Sequence, residues 1–363
     1  VSGDGQVVCG LSGRDHNGFR WRRDSGFEML PVESPFGSVA VYSCNGDGSV
    51  VAGHGAISPI GPVAFTWGPG GEVTVLNDAL GRHLITAYAI SDDGRVVLGE
   101  TMGATRQAAY WTTGSGPGAG LTVMPDLPTG IPPTWLSATN ADGTVFAGSR
   151  IGAGGLAFRW SAQDGYTIVG TLGGVIADAS VHGINSTGEI IVGDSSAAGG
   201  GRPAYMWTPY HGIERLALPA GDVSATATGL SADGRVVVGQ SIDAQNRRHA
   251  MLYTQGLGSV RLEEYLNTEY GFNLASSSLY NALGVSHDGR TIVGGGNALG
   301  YWVLTLPQSR PADFNVDQFV DFLDLADFLD CFEGTSVLPP SSADLNHDGF
   351  TDFFDLIEFL DEF

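Results

Sequence analysis

The chain has 363 residues and a formal net charge of −22, with only 15% of its residues charged. Of its 39 acidic residues, 14 lie beyond residue 311, where there is no Lys or Arg; the remaining 25 face 17 basic residues. This balance excludes nucleic acid and anionic membranes as partners, because their phosphates would be repelled, and no apolar run approaches the roughly 20 residues of a membrane span.

Glycine is abundant, at 55 residues, which favours tight turns and an all-β chain. One pattern recurs along the first 300 residues: a polar turn ending in Gly, a β-branched run, then Gly. The copies are SGDGQVVCG at 2–10, NGDGSVVAG at 45–53, SDDGRVVLG at 91–99, NADGTVFAG at 140–148, NSTGEIIVG at 185–193, SADGRVVVG at 231–239 and SHDGRTIVG at 286–294. The turn glycines are 43, 46, 49, 45, 46 and 55 residues apart, a period that fits blades of four short strands. Asp-Gly suits the positive-φ positions of a hairpin, and the run after it is a strand.

A second segment follows each turn, a small residue and an aromatic ending in Trp, with a weaker sixth copy. It reads Gly18-Phe19-Arg20-Trp21, Ala64-Phe65-Thr66-Trp67, Ala109-Tyr110-Trp111, Ala157-Phe158-Arg159-Trp160, Ala204-Tyr205-Met206-Trp207, Ala250-Met251-Leu252-Tyr253 and Gly300-Tyr301-Trp302. These are third strands whose aromatics fill the wedge between blades. Fourth strands are expected at 27–30, 73–76, 121–124, 166–169, 213–216 and 260–262. The long sixth spacing holds a short amphipathic helix over 262–270. The seventh repeat shows no fourth strand. Val1 falls within a repeat, so one blade edge stays open to a neighbouring molecule, or a three-stranded blade is capped by the linker.

These segments, with His249-Ala250-Met251 nearest the name-giving triplet, resemble the HAF-repeat extracellular proteins over residues 1–306. That resemblance implies an extracellular location and a propeller-like fold, and no particular chemistry. After a linker at 307–311, residues 312–332 (ADFNVDQFVDFLDLADFLDCF) and 343–363 (ADLNHDGFTDFFDLIEFLDEF) align along their length. Each opens with Asp-x-Asn-x-Asp, a spacing that aims alternate oxygens at one hard cation. Two Ca²⁺ sites are expected. The first uses Asp313, Asn315, Asp317, the carbonyl of Phe319, Asp321 and Asp324. The second uses Asp344, Asn346, Asp348, the carbonyl of Phe350, Asp352 and Asp355. Gly349 makes the sharp turn of the second loop; Gln318 stands in its place in the first, which is expected to bind more weakly.

The duplicated loop and helix resemble type I dockerins. The resemblance implies that the residues before the last ligand contact a partner, here Phe322-Leu323 and Phe353-Phe354. Trp135 is the one Trp outside the repeat pattern, and either an exposed contact or blade-edge packing suits it. Cys9 and Cys44 fall in neighbouring repeats, where a disulfide or two separate buried thiols both fit; Cys331 is then free or intermolecular.

No phosphate loop, zinc-protease motif or nucleophile elbow occurs. The turn aspartates Asp4, Asp47, Asp93, Asp142, Asp233 and Asp288 read as hairpin residues. The expectation is therefore an all-β seven-bladed β-propeller over 1–306, followed by a small α-helical dockerin or EF-hand-like domain over 312–363. In this reading the protein is secreted and is not an enzyme. It joins other copies of itself into a homopolymer through its calcium tail and open edge. The alternative is a glycan- or protein-binding propeller anchored to a cohesin-like receptor.

Overall fold

A computed structural model describes all residues except 13–16, 31–35, 37, 79, 103–104, 115–117, 151–154, 174–177, 199, 275–278, 297–299, 308–312, 315–321, 337, 339, 346–350 and 363. It contains seven antiparallel sheets, one per repeat, with the topology of a seven-bladed β-propeller. Blades 2 to 6 have four strands each; blade 1 (residues 7–29) and blade 7 (residues 279–305) have three among the described residues.

The repeat motif makes the blade turns in one way throughout. The opening Ser or Asn accepts the backbone N–H five residues on: Ser2 from Val7, Asn45 from Val50, Ser91 from Val96, Asn140 from Val145, Asn185 from Ile190, Ser231 from Val236 and Ser286 from Thr291, at 2.8–3.0 Å. Each of the six turn aspartates accepts the N–H two residues on, also at 2.8–3.0 Å. Their carboxylates are thus spent on the hairpin, as their place beside Gly predicts. The turns also bond to one another. Asp4 N–H donates to the Gly46 carbonyl, Gly46 to Asp92 and Asp92 to Ala141; likewise Ser186 donates to Ala232 and Ala232 to His287.

The glycine that closes the motif has a separate reason in five of the blades. The first strand of blades 2, 3, 4, 6 and 7 carries a register shift, for example between Ala87 and Ala89. This bulge brings a carbonyl against the second strand: a Cβ on Gly99 would strike the Thr86 oxygen, and the same holds at Gly53, Gly148, Gly239 and Gly294. The third-strand aromatics Phe65, Trp67, Phe158 and Tyr205 are fully buried.

Two compact units emerge: residues 1–169 with 178–181, and residues 170–177 with 182–363. The first holds blades 1 to 4. Its cores run from blade to blade, as where Leu98 and Ala108 of blade 3 join Leu136, Phe146 and Phe158 of blade 4. The second holds most of blade 5, blades 6 and 7, and the C-terminal segment. The expected amphipathic helix is α1, Leu262–Tyr270. Leu262, Tyr265 and Leu266 seat it on blade 6, and it ends at Gly271, φ 66°, whose N–H bonds the Leu266 carbonyl. Two further helices, α2 (Phe322–Phe332) and α3 (Phe353–Glu362), each follow one of the duplicated acidic segments.

Candidate functional site

The C-terminal helices are built by their aromatic spacing. Phe328 and Phe332 of α2 lie four apart, and Phe328 meets Phe359 of α3 at 4.9 Å between ring centroids and Phe314 at 5.8 Å, edge on. Phe314, Phe328, Cys331 and Phe359 are fully buried, in a core continuous with Ile190, Val192, Met206, Val237 and Met251 of blades 5 and 6. Burial pushes the Cys331 thiol up to about 12. The opposite face is apolar and exposed: Leu323 (63%), Phe353 (66%), Phe354 (63%), Ile357 and Leu360. A helix with apolar residues on both faces has more apolar surface than its own core uses.

One blade residue organises the docking of this segment. Arg235, next to the turn of blade 6, is 8% exposed. Its guanidinium lies 3.7 Å from the Phe314 ring centroid and donates to the Ser342 carbonyl at 2.7 Å. Ser342 Oγ donates in turn to the Asp233 carbonyl at 2.9 Å. Burial pushes the Arg235 pKa down, opposed by the charges of Asp233, Asp313 and Asp324. An acidic segment without Lys or Arg thus receives its cation from the propeller.

The described cation-ligand candidates are Asp313, Asp324, Asp344, Asp352 and Asp355. Asp313, Asp324 and Asp355 are buried. Asp355 accepts the N–H of Leu345 at 2.8 Å and of Asp352 at 2.7 Å, while Asp352 accepts that of Phe354 at 2.8 Å. This reciprocal capping starts α3. Among the described residues no three acidic, His or Cys groups converge as a metal site. Asn315, Asp317, Phe319, Asp321, Asn346, Asp348 and Phe350 lie outside the described residues, and the side chain of Phe322 is likewise not described. The donors present are hard oxygens of the right kind for Ca²⁺, so the chemistry fits, but the described part does not by itself make a complete shell.

Trp135 opens the first strand of blade 4 (Trp135–Thr139), partly buried and stacked on Tyr88 at 4.2 Å. None of Cys9, Cys44 and Cys331 is in a disulfide. Cys9 and Cys44 are close enough to hydrogen-bond, which raises the Cys9 pKa and lowers that of Cys44 to about 7. The buried polar clusters were not singled out from sequence. His249, fully buried, bonds Glu263 of α1 at 2.6 Å and approaches Asp243 at 3.4 Å. His182 and Arg202 both bond Asp194 in blade 5. Glu100, 2% exposed, receives Arg106 at 2.7 Å and the Tyr88 hydroxyl at 3.0 Å. Glu100 and Asp194 each directly follow a motif-closing Gly, a register signal that aligning the repeats would have exposed.

No family model matches the chain, and no curated protein is similar to it. Solved structures do resemble it. The oligogalacturonate lyase of Vibrio parahaemolyticus matches at TM-score 0.57 and 11% identity, over 85% of this chain and 88% of that one. A prolyl endopeptidase matches at TM-score 0.51 and 14% identity, over 85% of this chain and 51% of that one. TolB from Acinetobacter baumannii matches at TM-score 0.48 and 14% identity, over 70% and 62%. The chain therefore spans half to two thirds of the length of these last two. At such identities the likeness shows the fold alone. It also corrects one expectation: the absence of sequence motifs does not make this chain a non-enzyme, because the same fold occurs in a lyase and makes up part of a prolyl endopeptidase. No helix among the described residues is long and apolar enough to cross a membrane.

Proposed function

We propose that the protein is an extracellular docking protein whose calcium-binding, dockerin-like tail joins it to a protein partner, in the first instance another copy of itself. The observation that carries this reading is the exposed apolar face of the tail, Leu323, Phe353, Phe354, Ile357 and Leu360, set opposite a face already buried on blades 5 and 6. Calcium, held by Asp313, Asn315, Asp317, Asp321 and Asp324 and by Asp344, Asn346, Asp348, Asp352 and Asp355, supplies charge neutralisation for 14 clustered carboxylates. The outer strand of blade 7 (Gly300–Thr305), with Tyr301 at 73% exposure, offers a second joining edge. A head-to-tail contact between two such unlike surfaces gives a filament where its rotation does not close.

Sedimentation velocity of the whole chain over a concentration series, in calcium and in chelator, tests this. Calcium-dependent assembly, lost in Phe353→Ser with Phe354→Ser, is expected. A monomer at all concentrations in calcium would leave only a separate cohesin-type receptor as the tail's partner. A second reading has its own support: the propeller binds a ligand and the tail anchors it, a reading favoured by a partly exposed set of aromatic rings on blades 2 to 4.

A further inference from the structure

We infer that blades 2 to 4 carry a binding platform for an uncharged oligosaccharide, formed by Tyr42, Tyr88 and Trp135 with Glu100, Arg106 and His54 at its base. This deepens the second reading above and does not depend on the tail. Tyr42 and Tyr88 are the extra residues of the bulges in the first strands of blades 2 and 3, between Val41 and Ser43 and between Ala87 and Ala89. A bulge re-aims one side chain out of the strand's alternation, and here it does so twice in neighbouring blades. Trp135 opens the corresponding strand of blade 4.

The rings form a row. His54 stacks on Tyr42 at 5.6 Å, Tyr42 meets Tyr88 at 5.9 Å, and Tyr88 stacks on Trp135 at 4.2 Å. They are not core residues in the way Phe65, Phe158 or Tyr205 are, all fully buried: Tyr42 is 50% exposed, and Tyr88 and Trp135 are only partly buried. The row is also held rigid. Glu100 accepts the Tyr88 hydroxyl, Arg106 and, at 3.4 Å, Thr86. Burial and the Glu100 charge push the Tyr88 pKa up, so its phenol stays protonated as a donor. At the other end, His54 Nδ1 is buried without a hydrogen-bond partner. Burial lowers the His54 pKa against the pull of Glu100, so the ring is neutral at pH 7 and that nitrogen has unused bonding capacity.

A partly exposed row of rings, stacked or tilted against one another with polar atoms at its margin, fits a ligand that has both apolar C–H surface and hydrogen-bonding edges, which describes a pyranose ring. The charges narrow the class. Glu100 is met by Arg106, so the platform presents no net cation for a polyanion, and the chain as a whole is at −22. The same pairing leaves no uncompensated carboxylate to hold a cationic ligand.

Isothermal titration of the full chain with cellohexaose and xylohexaose, and with hexagalacturonate as the charged counterpart, tests the platform. Saturable binding of a neutral hexamer is expected, weakened about tenfold in Trp135→Ala and in Tyr42→Ala, the size of one aromatic contact. Tyr301→Ala and the Phe353→Ser, Phe354→Ser variant should bind as the parent does. Tyr42 is half exposed, so its truncation leaves the fold standing, which a melting curve checks. If a neutral hexamer binds but neither platform variant weakens it, the site lies elsewhere and only the broader reading survives. Binding of no hexamer overturns the platform, and preference for hexagalacturonate overturns the uncharged class.

Discussion

Arg235→Met is the sharpest test of how the tail is held. The substitution keeps an unbranched apolar stem and removes the guanidinium and its charge. It deletes the guanidinium donor to the Ser342 carbonyl, a charge-assisted bond of about 1.5–3 kcal/mol, and the cation over Phe314, about 2 kcal/mol when desolvated. Part is returned, because burial opposes the charge, as the lowered pKa shows, and Met carries no such penalty. Against that, Asp313 and Asp324 lose a nearby cation. The net expectation is a loss of roughly 2–3 kcal/mol in the docking of α2 and α3. Hydrogen exchange read by mass spectrometry in chelator should then show those helices exchanging roughly 30- to 140-fold faster, with blades 1 to 4 unchanged. An internal control exists. Arg95 occupies the same repeat position in blade 3 with its side chain 76% exposed, and Arg95→Met should change stability by less than about 0.5 kcal/mol. Equal exchange in the two variants would refute the clamp.

Three further outcomes follow from the geometry. Gly99→Ala places a methyl against the Thr86 carbonyl and should cost about 1–3 kcal/mol by overpacking, read as a lower midpoint in thermal unfolding; an unchanged midpoint would remove the bulge argument. Cys44, lowered to about 7 by its bond from Cys9, should be alkylated by iodoacetamide with a rate that rises through neutral pH and disappears in Cys44→Ser; a rate rising only near the ordinary thiol value would contradict it. His54 binds a proton less readily folded than unfolded. Below about pH 6.5 the unfolded chain therefore takes up the proton first, and stability falls as the pH drops further, until the folded pKa is passed. Urea midpoints at pH 8 and pH 5.5 should differ less in His54→Gln than in the parent, and an identical difference would sink the assignment.

The parts of this molecule legible in sequence are those set by short-range physics. The Ser/Asn-x-Asp-Gly turn forms its own hydrogen bonds within five residues, so seven copies in register announce seven blades. The helix over 262–270 has the same local origin. The first strands were not recognised, because 39–44 (VAVYSC) or 86–90 (TAYAI) carry no turn chemistry of their own and their bulges exist only against a partner strand. The platform residues Tyr42 and Tyr88 were missed with them. The limit is clearest at two near-identical segments, SDDGRVVLG at 91–99 and SADGRVVVG at 231–239. Their turns bond alike, yet Arg95 is in solvent and Arg235 is buried beneath the tail. Nothing within nine residues separates them; what differs is a segment about 80–110 residues further along the chain. That segment has 14 carboxylates and no cation of its own, so its burial requires a positive charge from elsewhere. Blade 6 meets that requirement with a residue the repeat had already placed at its turn. The tail therefore takes its buried cation from a repeat that has equivalents elsewhere in the ring of blades, while the rings on its outer face remain exposed for a partner.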